Sequence, residues 1–219
     1  MKKVSGLLLL LLPCCLLVKQ SVAQLQPGFS ILYRYDDRYM PFSVNGQHIK
    51  LKEQYAKLVF TDSVSFFCIF RGKKDPYRKD SVFRREPLHH SQYYSLKTKW
   101  LYSVVAIFNH KNINPGYLLA DTVQAMHWEI RQGEKWIAGF RCEAALGIKQ
   151  GTDSVLAWFT RELPGSFGPA DYTGLPGVVL DLTELKTGTH LTAVKLEEKR
   201  LLVIFPENAR LIYRMEDIR

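Results

Sequence analysis

The sequence predicts a mainly β protein whose single antiparallel sheet curves into an open or half barrel. Apolar and aromatic runs of strand length recur at short intervals along the 219 residues, with little helical period between them. Aromatic residues make up 12% of the chain and are enriched in strands. Hydrophobic residues at 47% against charged residues at 23% exclude a disordered chain. The sequence has no internal repeat and no linker long enough to divide it, so we expect one β-rich domain over residues 24–219.

The chain begins with the pattern of a cleaved secretory signal, residues 1–23. A short positive start precedes the apolar run Leu7–Val18, and the small residues Ser21 and Ala23 mark a cleavage site after Ala23. The apolar run is short for a bilayer span, and a retained anchor is the alternative. We expect a periplasmic or secreted protein with no membrane span after cleavage.

Two cysteines, Cys68 and Cys142, remain after cleavage, because Cys14 and Cys15 belong to the signal. An exported protein folds in an oxidising compartment, where two lone cysteines are commonly joined. The sequence therefore predicts a disulfide between them. Both flanks are strongly apolar, so two buried free thiols are the alternative.

Turn residues separate the strands of the N-terminal half. Residues 46–58 are ambiguous between a strand and a short helix, and Thr61-Asp62-Ser63 forms a turn. Asn114-Pro115-Gly116 is a strong turn signal. The predicted strands here are Phe29–Tyr35, Leu58–Phe60, Val64–Phe70 and Trp100–Phe108.

The clearest passage of the chain is a three-strand meander. Its first strand, Met126–Ile130, is followed by a polar turn at 131–135 and a second strand, Trp136–Ala145. Alternation in the second strand predicts a half-buried face containing Trp136, Ala138, Phe140, Cys142 and Ala144.

The rest of the chain continues the strand pattern towards the C-terminus. Pro206 followed by Glu207 is a helix-start signal, so the expected fold includes a short C-terminal helix compatible with Arg210–Arg219. The remaining predicted strands are Ser154–Thr160, Val178–Leu182, Leu191–Lys195 and Leu201–Phe205.

Residues 71–99 form a basic insert between strands. They carry nine Lys and Arg against three acids, a net charge of +6 that equals the whole net charge after signal cleavage. Such a patch suits a phosphorylated lipid head group or an acidic partner protein, and a solvated loop without a ligand is the alternative. Outside the cytoplasm we expect no nucleic acid. The residues assigned to the anionic surface are Arg71, Lys73, Lys74, Arg78, Lys79, Arg84 and Arg85.

A loop rich in proline and glycine follows the strand that ends at Thr160. Proline fixes φ and glycine permits positive φ or close backbone approach, so the loop is expected to be rigid. Its motif positions are Pro164, Gly168, Pro169, Gly174, Leu175, Pro176 and Gly177.

The hexapeptide Gly174–Val179 resembles the signature of the GLPGLI family, with Val-Val in place of Leu-Ile. Upstream, Trp128-x-Ile130, Ile137–Cys142 and Trp158–Thr160 are similar to that family's pattern, and the similarity covers residues 124–182. The resemblance implies an exported β-rich protein of uncharacterised function. By fold-level analogy it also implies an open half barrel like that of envelope lipoprotein carriers.

Catalytic motifs are absent from the sequence. It contains no Gly-x-Ser-x-Gly, His-Glu-x-x-His, Cys-x-x-Cys or glycine-rich phosphate loop. Among the six histidines, the adjacent His89 and His90 would point to opposite sides of a strand, so we expect neither a metal site nor another cofactor. Cys142 has apolar neighbours, which disfavour a thiolate nucleophile. A hydrolase using Asp or His is therefore the least favoured function.

The leading hypothesis is a non-enzymatic cell-envelope protein that binds a lipid or an apolar small molecule on an aromatic sheet face. Ordinary core packing of these aromatics is the alternative. A second hypothesis is a structural or interaction module that docks on an outer-membrane protein assembly through the Pro/Gly loop or the basic insert. The residues assigned to the ligand or partner surface are Trp128, Trp136, Phe140, Trp158, Phe167 and Tyr172.

Overall fold

The structure is a computed structural model that describes most of the chain after the signal-like segment. The described residues are 25–36, 43–44, 47–48, 54–71, 82–83, 91–109, 112–123, 126–149, 152–203 and 210–217. The signal pattern and most of the basic insert therefore lie outside the described residues.

Fifteen strands occur in the described residues. The first nine are β1 (Gln26–Asp36), β2 (Ser43–Val44), β3 (Gln47–His48), β4 (Gln54–Phe60), β5 (Val64–Arg71), β6 (Val82–Phe83), β7 (Gln92–Ser95), β8 (Trp100–Asn109) and β9 (Asn112–Thr122). The others are β10 (His127–Ile137), β11 (Phe140–Lys149), β12 (Thr152–Thr160), β13 (Val178–Glu184), β14 (His190–Val203) and β15 (Arg210–Ile212). A 3₁₀ turn follows at Met215–Asp217.

Thirteen of these strands form one open sheet, in the order β10-β11-β12-β13-β14-β1-β4-β5-β7-β8-β9-β15 with β6 beside β14. Neighbours along this path are antiparallel except β15, which runs parallel to β9. The short strands β2 and β3 form a separate hairpin. The predicted fold class is confirmed: the protein is mainly β, its sheet is mostly antiparallel, and β10 and β15 lie at opposite open ends.

Two side-chain contacts show that the sheet curls strongly near β10–β14. The Tyr33 hydroxyl of β1 donates to the Val179 carbonyl of β13, at 2.6 Å, with β14 between them. The Lys135 ammonium of β10 lies 3.4 Å from the Asp181 carboxylate of β13, although β11 and β12 lie between these two strands in the sheet order. Strands in a flat sheet lie about 4.8 Å apart, so flat neighbours would place β10 and β13 roughly 14 Å apart. Register shifts, as between Leu32 and Tyr33, supply such bending.

The sheet buries apolar side chains on both faces. One cluster, here called the interior cluster, combines strand residues such as Ile31, Leu58 and Leu182 with Phe167 and Leu175 of the Pro/Gly loop. The second cluster lies on the opposite face of the central strands and consists of Val59, Phe66, Cys68, Phe70, Tyr93 and Leu201. Strand β4 contributes alternate residues to the two clusters, which explains why its sequence is almost continuously apolar.

The predicted turn at 131–135 is wrong, because those residues continue β10. The chain reverses instead at Ala138 and Gly139, whose φ values are 50° and 89°. Two consecutive residues with positive φ are typical of the tight turns that match the twist of a hairpin. The polar stretch is accommodated by a bulge between Arg131 and Glu134.

The predicted turn at Asn114-Pro115-Gly116 is also wrong, since β9 runs through it. The pairs Val105–Tyr117 and Ile107–Asn114 leave one extra residue on β9, which is the signature of a bulge. Proline cannot donate to a strand ladder and is tolerated at such an irregularity. Turn-forming residues therefore bend this strand without ending it.

Three further expectations are refined by the structure. The ambiguous residues 46–58 include the start of β4, which is a strand. Strand β7 lies inside the predicted insert, and its Tyr93 and Tyr94 are buried in the sheet instead of standing among the charges. Where a C-terminal helix was expected, Arg210–Ile212 pair with β9 as a strand, and the only described helical residues there are the 3₁₀ turn.

The predicted disulfide is wrong: Cys68 and Cys142 are buried thiols that no disulfide joins. Cys68 belongs to the second cluster on β5, whereas Cys142 belongs to the interior cluster on β11. Five strands separate β5 from β11 in the sheet order. A disulfide needs Cα atoms within about 7 Å, so this topology holds the two cysteines apart.

Tyr33→Phe is expected to lower the free energy of unfolding by about 1–2 kcal/mol, because it leaves the buried Val179 carbonyl without the bond that spans β14. Urea unfolding followed by fluorescence measures this change. Tyr213→Phe is the matched control, since Tyr213 is 61% exposed and should unfold like the wild type. Equal stability of both variants would contradict the bracing role of Tyr33.

Candidate functional site

The Pro/Gly loop, residues 161–177, packs its apolar side chains into the interior cluster. Phe167 is fully buried, with its ring 5.2 Å from that of Phe60 and in edge contact with Tyr94 at 6.4 Å. Leu175 is 1% exposed. The loop therefore occupies the interior face on which the half-barrel hypothesis would place an apolar ligand.

Hydrogen bonds fix this loop from inside and from the sheet. The Ser166 hydroxyl donates to the Leu175 carbonyl at 2.7 Å and accepts the Gly174 N–H at 3.0 Å. The Trp128 indole N–H donates to the Thr173 carbonyl at 2.8 Å, which ties β10 to the loop. With its polar groups paired in this way, the loop has the rigidity that its sequence predicts.

Two motif glycines allow close backbone contacts, one within the loop and one between the loop and the sheet. A Cβ on Gly168 would lie 2.0 Å from the Tyr172 carbonyl oxygen, and one on Gly177 would lie 2.1 Å from the Thr160 carbonyl oxygen. Both contacts are with backbone atoms, which cannot swing aside as a flexible side chain does. A side chain at Gly168 would force the loop itself open, and one at Gly177 would push the loop off the end of β12.

The six aromatics assigned to a ligand surface do not form one sheet face. Trp136 is paired with Arg141, whereas Phe140 and Trp158 lie on the opposite face of the sheet. The expected grouping of Trp136 with Phe140 is wrong because the hairpin turns between them, at Ala138. Alternation cannot be carried through a turn.

The remaining assigned aromatics are committed to internal contacts. Trp128 lies under the loop, Phe167 is fully buried, and the Tyr172 hydroxyl donates to Glu184 at 2.7 Å. Burial and the hydrogen bond to Glu184 both raise the pKa of Tyr172 well above its usual range, so it stays protonated. Trp136 differs from these, since 73% of it is exposed.

A mixed-charge cluster lies on the face that carries Trp158. The Asp181 carboxylate, of which 7% is exposed, accepts from His190 Nε2 at 3.0 Å and lies 3.4 Å from the Lys135 ammonium. The same ammonium stands 4.5 Å from the centre of the Trp158 ring. Here a buried carboxylate is compensated by two bases and an aromatic face, which is a stable internal arrangement.

Sequence reasoning missed this cluster. The sequence does contain one signal of it, because Asp181 is an acid inside the apolar strand β13. A buried charge needs a partner, so this position predicts a nearby basic or hydrogen-bonding group. Lys135 was placed in a turn, and no local pattern indicates that it reaches β13. The pairing depends on the curl of the whole sheet.

Cys142 is a buried thiol in an environment that disfavours a nucleophile. Burial raises the pKa of Cys142 to about 12, and the positive charge of Lys135 offsets only part of this shift. The thiol is therefore fully protonated at neutral pH, as its apolar flanks predict.

A shallow groove of about 370 Å³ adjoins the Pro/Gly loop. It lies where β1 begins, beside the turn between β4 and β5, and Pro164 of the loop forms one wall. Its other lining residues are Gln26, Pro27, Gly28, Phe29, Thr61 and Asp62.

Several expectations fall on residues that the structure does not describe. Of the predicted anionic surface, Arg71 is the last residue of β5, and the other six residues lie outside the described ranges.

Among the described residues, no three His, Cys, Asp or Glu side chains are grouped so as to hold a metal. No described helix has the length and apolar character to cross a membrane.

Comparison with known families finds one partial match. Residues 148–181 match the model of a family described as "Protein of unknown function (Porph_ging)". This stretch lies within residues 124–182, over which the GLPGLI resemblance was found, and agrees with an uncharacterised family without carrying that name. No curated protein matches the chain.

Solved structures of similar fold include two crystal forms of PNGF-II. The C2 form matches with a TM-score of 0.55 and the P2₁ form with 0.56, each at 13% sequence identity. Each match covers 87% of this chain but 32% of the PNGF-II chain. At this identity the similarity concerns the fold alone, and this chain spans about a third of the length of PNGF-II.

Gly168→Ala is expected to destabilise the fold by roughly 2–4 kcal/mol, because the new Cβ would collide with the Tyr172 carbonyl. Gly188→Ala is the control: Gly188 has an unusual φ of 70°, which Gly168 does not, but no atom lies within 4 Å of its added Cβ. Strain alone should cost about 1 kcal/mol there. Thermal unfolding by circular dichroism compares the two, and a larger loss in Gly188→Ala would contradict the close-approach argument.

The thiol of Cys142 should resist alkylation in the folded protein at neutral pH, because it is buried and protonated. Iodoacetamide treatment followed by intact-mass measurement should show no adduct before unfolding and adducts on Cys68 and Cys142 after it. A reductant should leave the melting temperature unchanged, since no disulfide joins Cys68 and Cys142. Rapid native alkylation of Cys142 would contradict this environment.

Proposed function

We propose that this protein is an exported, non-enzymatic interaction module of the cell envelope, with the Pro/Gly loop as a permanent internal plug. The observation that carries the proposal is the position of Phe167, fully buried against Phe60 on the interior face. A carrier needs that face for its ligand, whereas an interaction module needs only a rigid scaffold. The signal-like segment 1–23 supports export.

The arrangement of the aromatics favours this alternative over a lipid carrier. Trp128 and Phe167 hold the loop in place. Trp158 lies on the other face of the sheet, where the Lys135 ammonium stands over its ring. Ligand sites are concave and lined mainly by apolar and aromatic side chains that converge on one space. These side chains face in different directions and already contact the protein itself.

The charged groups of the described residues support a non-enzymatic role. The Asp181 carboxylate oxygens already have His190 and Lys135 as partners within the protein. Cys142 is held as a neutral thiol by burial. A catalytic group needs a protonation state and a free position suited to a substrate, and this cluster offers an internal ion pair instead.

The groove beside the loop is the surface that we assign to a partner. Its walls include Pro27 and Pro164, whose fixed φ angles make it rigid, and Phe29 supplies an apolar contact. The acidic rim residue Asp62 favours a basic residue on the partner. We infer that the occupant is an extended segment of another envelope protein, with an apolar side chain against Phe29 and a basic side chain beside Asp62.

The first test asks whether the chain carries a lipid. Native mass spectrometry of protein purified from the periplasm without detergent should give the bare mass of a chain beginning at residue 24. A reproducible adduct of lipid size would contradict the module and restore the carrier hypothesis.

The second test asks whether the groove has a protein partner in the cell. A photoreactive residue replacing Pro164 should give one discrete cross-linked protein, whereas the same residue replacing the exposed Lys186 should give none. Asp62→Lys should weaken that cross-link by reversing the charge of the rim. The absence of a specific product at 164, or identical products at both positions, would overturn the assignment of the groove.

A further inference from the structure

An exposed apolar patch lies at one open end of the sheet. Leu211, Tyr213 and Met215 are 44%, 61% and 52% exposed and are close together in the chain. They belong to β15 and the residues directly after it, and β15 is the last strand in the sheet order. Large apolar side chains that cluster at a surface are typical of binding sites, whereas single ones are ordinary.

Tyr213 brings these side chains into contact with a basic turn. Its ring meets the Trp100 ring edge-on, with the ring centres 5.9 Å apart. Trp100 begins β8, and the turn before it exposes Lys97 and Lys99. We use the name Tyr213 patch for the four apolar residues Trp100, Leu211, Tyr213 and Met215.

Two stretches of chain bring cations to the Tyr213 patch. Lys97 and Lys99 are the last two cations of the basic insert, whose net charge of +6 is joined directly to the start of β8. Arg210 and Arg214 flank Tyr213 on the other stretch, and both are exposed. An apolar patch and a polybasic segment therefore meet at this end of the sheet.

Fewer acids lie in the same region of the described residues. They are Asp121 of β9, the strand that pairs with β15, and Glu216 and Asp217 of the 3₁₀ turn. The net charge of the basic insert outweighs these acids, so the region as a whole attracts an anionic surface.

A second exposed aromatic side chain differs from Tyr213 in its charged surroundings. Trp136 is 73% exposed on β10, and the acids near it are paired with arginines as Glu134–Arg141 and Glu143–Arg161. These ion pairs leave no net attraction for an anion. Trp136 therefore resembles Tyr213 in exposure but not in charge, which makes it a suitable control.

The composition of the Tyr213 patch and its rim favours a lipid surface over a protein. Trp and Tyr are enriched at membrane–water interfaces, where their rings lie at the level of the headgroups. Lys and Arg beside them attract anionic lipids, and attachment is stable when apolar and electrostatic contributions act together. Protein interfaces are depleted of Lys, whereas here Lys97 and Lys99 stand beside Trp100.

We propose that the Tyr213 patch docks this protein reversibly on a membrane surface that contains anionic lipids. Leu211, Tyr213 and Met215 enter the headgroup region, and the flanking Lys and Arg side chains contact lipid phosphates. Attachment is weak and falls as salt screens the charges. No lipid leaves the membrane with the protein, so the isolated chain keeps its bare mass. The Tyr213 patch shares no residue with the Pro164 groove, and the proposal does not depend on the occupant of that groove.

Vesicle flotation tests the docking with the mature chain. The wild type should float with vesicles of phosphatidylethanolamine and phosphatidylglycerol, but not with vesicles of phosphatidylcholine alone. High salt should release it from the anionic vesicles. Tyr213→Ser should weaken the partition by about fivefold or more, whereas Trp136→Ser should bind like the wild type.

Three results of this experiment would overturn the proposal. A wild type that ignores the anionic vesicles would leave an acidic protein as the partner of the basic insert. Equal binding to neutral and anionic vesicles would remove the role of charge. An equal loss of binding in Trp136→Ser and Tyr213→Ser would show that the Tyr213 patch has no special part in docking.

Quenching by lipids with brominated acyl chains then locates the contact. Trp100 belongs to the Tyr213 patch, whereas Trp128 and Trp158 make contacts within the protein. Quenching should persist in Trp136→Ser and be largely lost in Trp100→Phe, which keeps an aromatic ring against Tyr213. The opposite pattern would place the membrane contact at β10 and overturn the proposal. Neither vesicle experiment bears on the groove cross-link, so the two proposals can fail separately.

Discussion

The close approach of the Pro/Gly loop to the sheet is the constraint on which the rest of the structure depends. An open, curled sheet leaves an apolar interior face that no partner strand closes, and the loop covers it with Phe167 and Leu175. Gly177 makes this contact possible because it has no side chain where its backbone meets that of Thr160, and Gly168 likewise lets the loop fold back on Tyr172. The hexapeptide Gly174–Val179 therefore has a packing role, since Leu175 is buried and Gly177 meets the backbone of β12.

Because the Pro/Gly loop packs against the sheet, some of its side chains face the interior and others face solvent. Phe167 and Leu175 are buried, while Pro164 of the same loop is exposed and forms a wall of the groove. A loop held by its inner side chains presents its outer surface in one conformation. Preorganisation of this kind lowers the entropy that a partner must remove on binding.

Local patterns in the sequence identified many of the strands but not all of their ends, and not their relations across the sheet. Alternation identified the meander and the buried strand β13. The hairpin turn was misplaced because the polar residues at 131–135 suit an exposed edge strand as well as a turn, and Trp136 was assigned to the wrong face as a result. The pairing of Lys135 with Asp181 and the separation of the two cysteines follow from curvature and strand order, which no local window contains.

Strand β1 lies at the centre of the sheet between β4 and β14, and its Gln26 is paired with Leu201. The first strand to be synthesised must therefore wait for one of the last before its hydrogen bonds are complete. Contacts so distant in sequence make loop closure costly and folding slow. Until β14 has been synthesised, β1 therefore presents an unpaired edge in the middle of the future sheet.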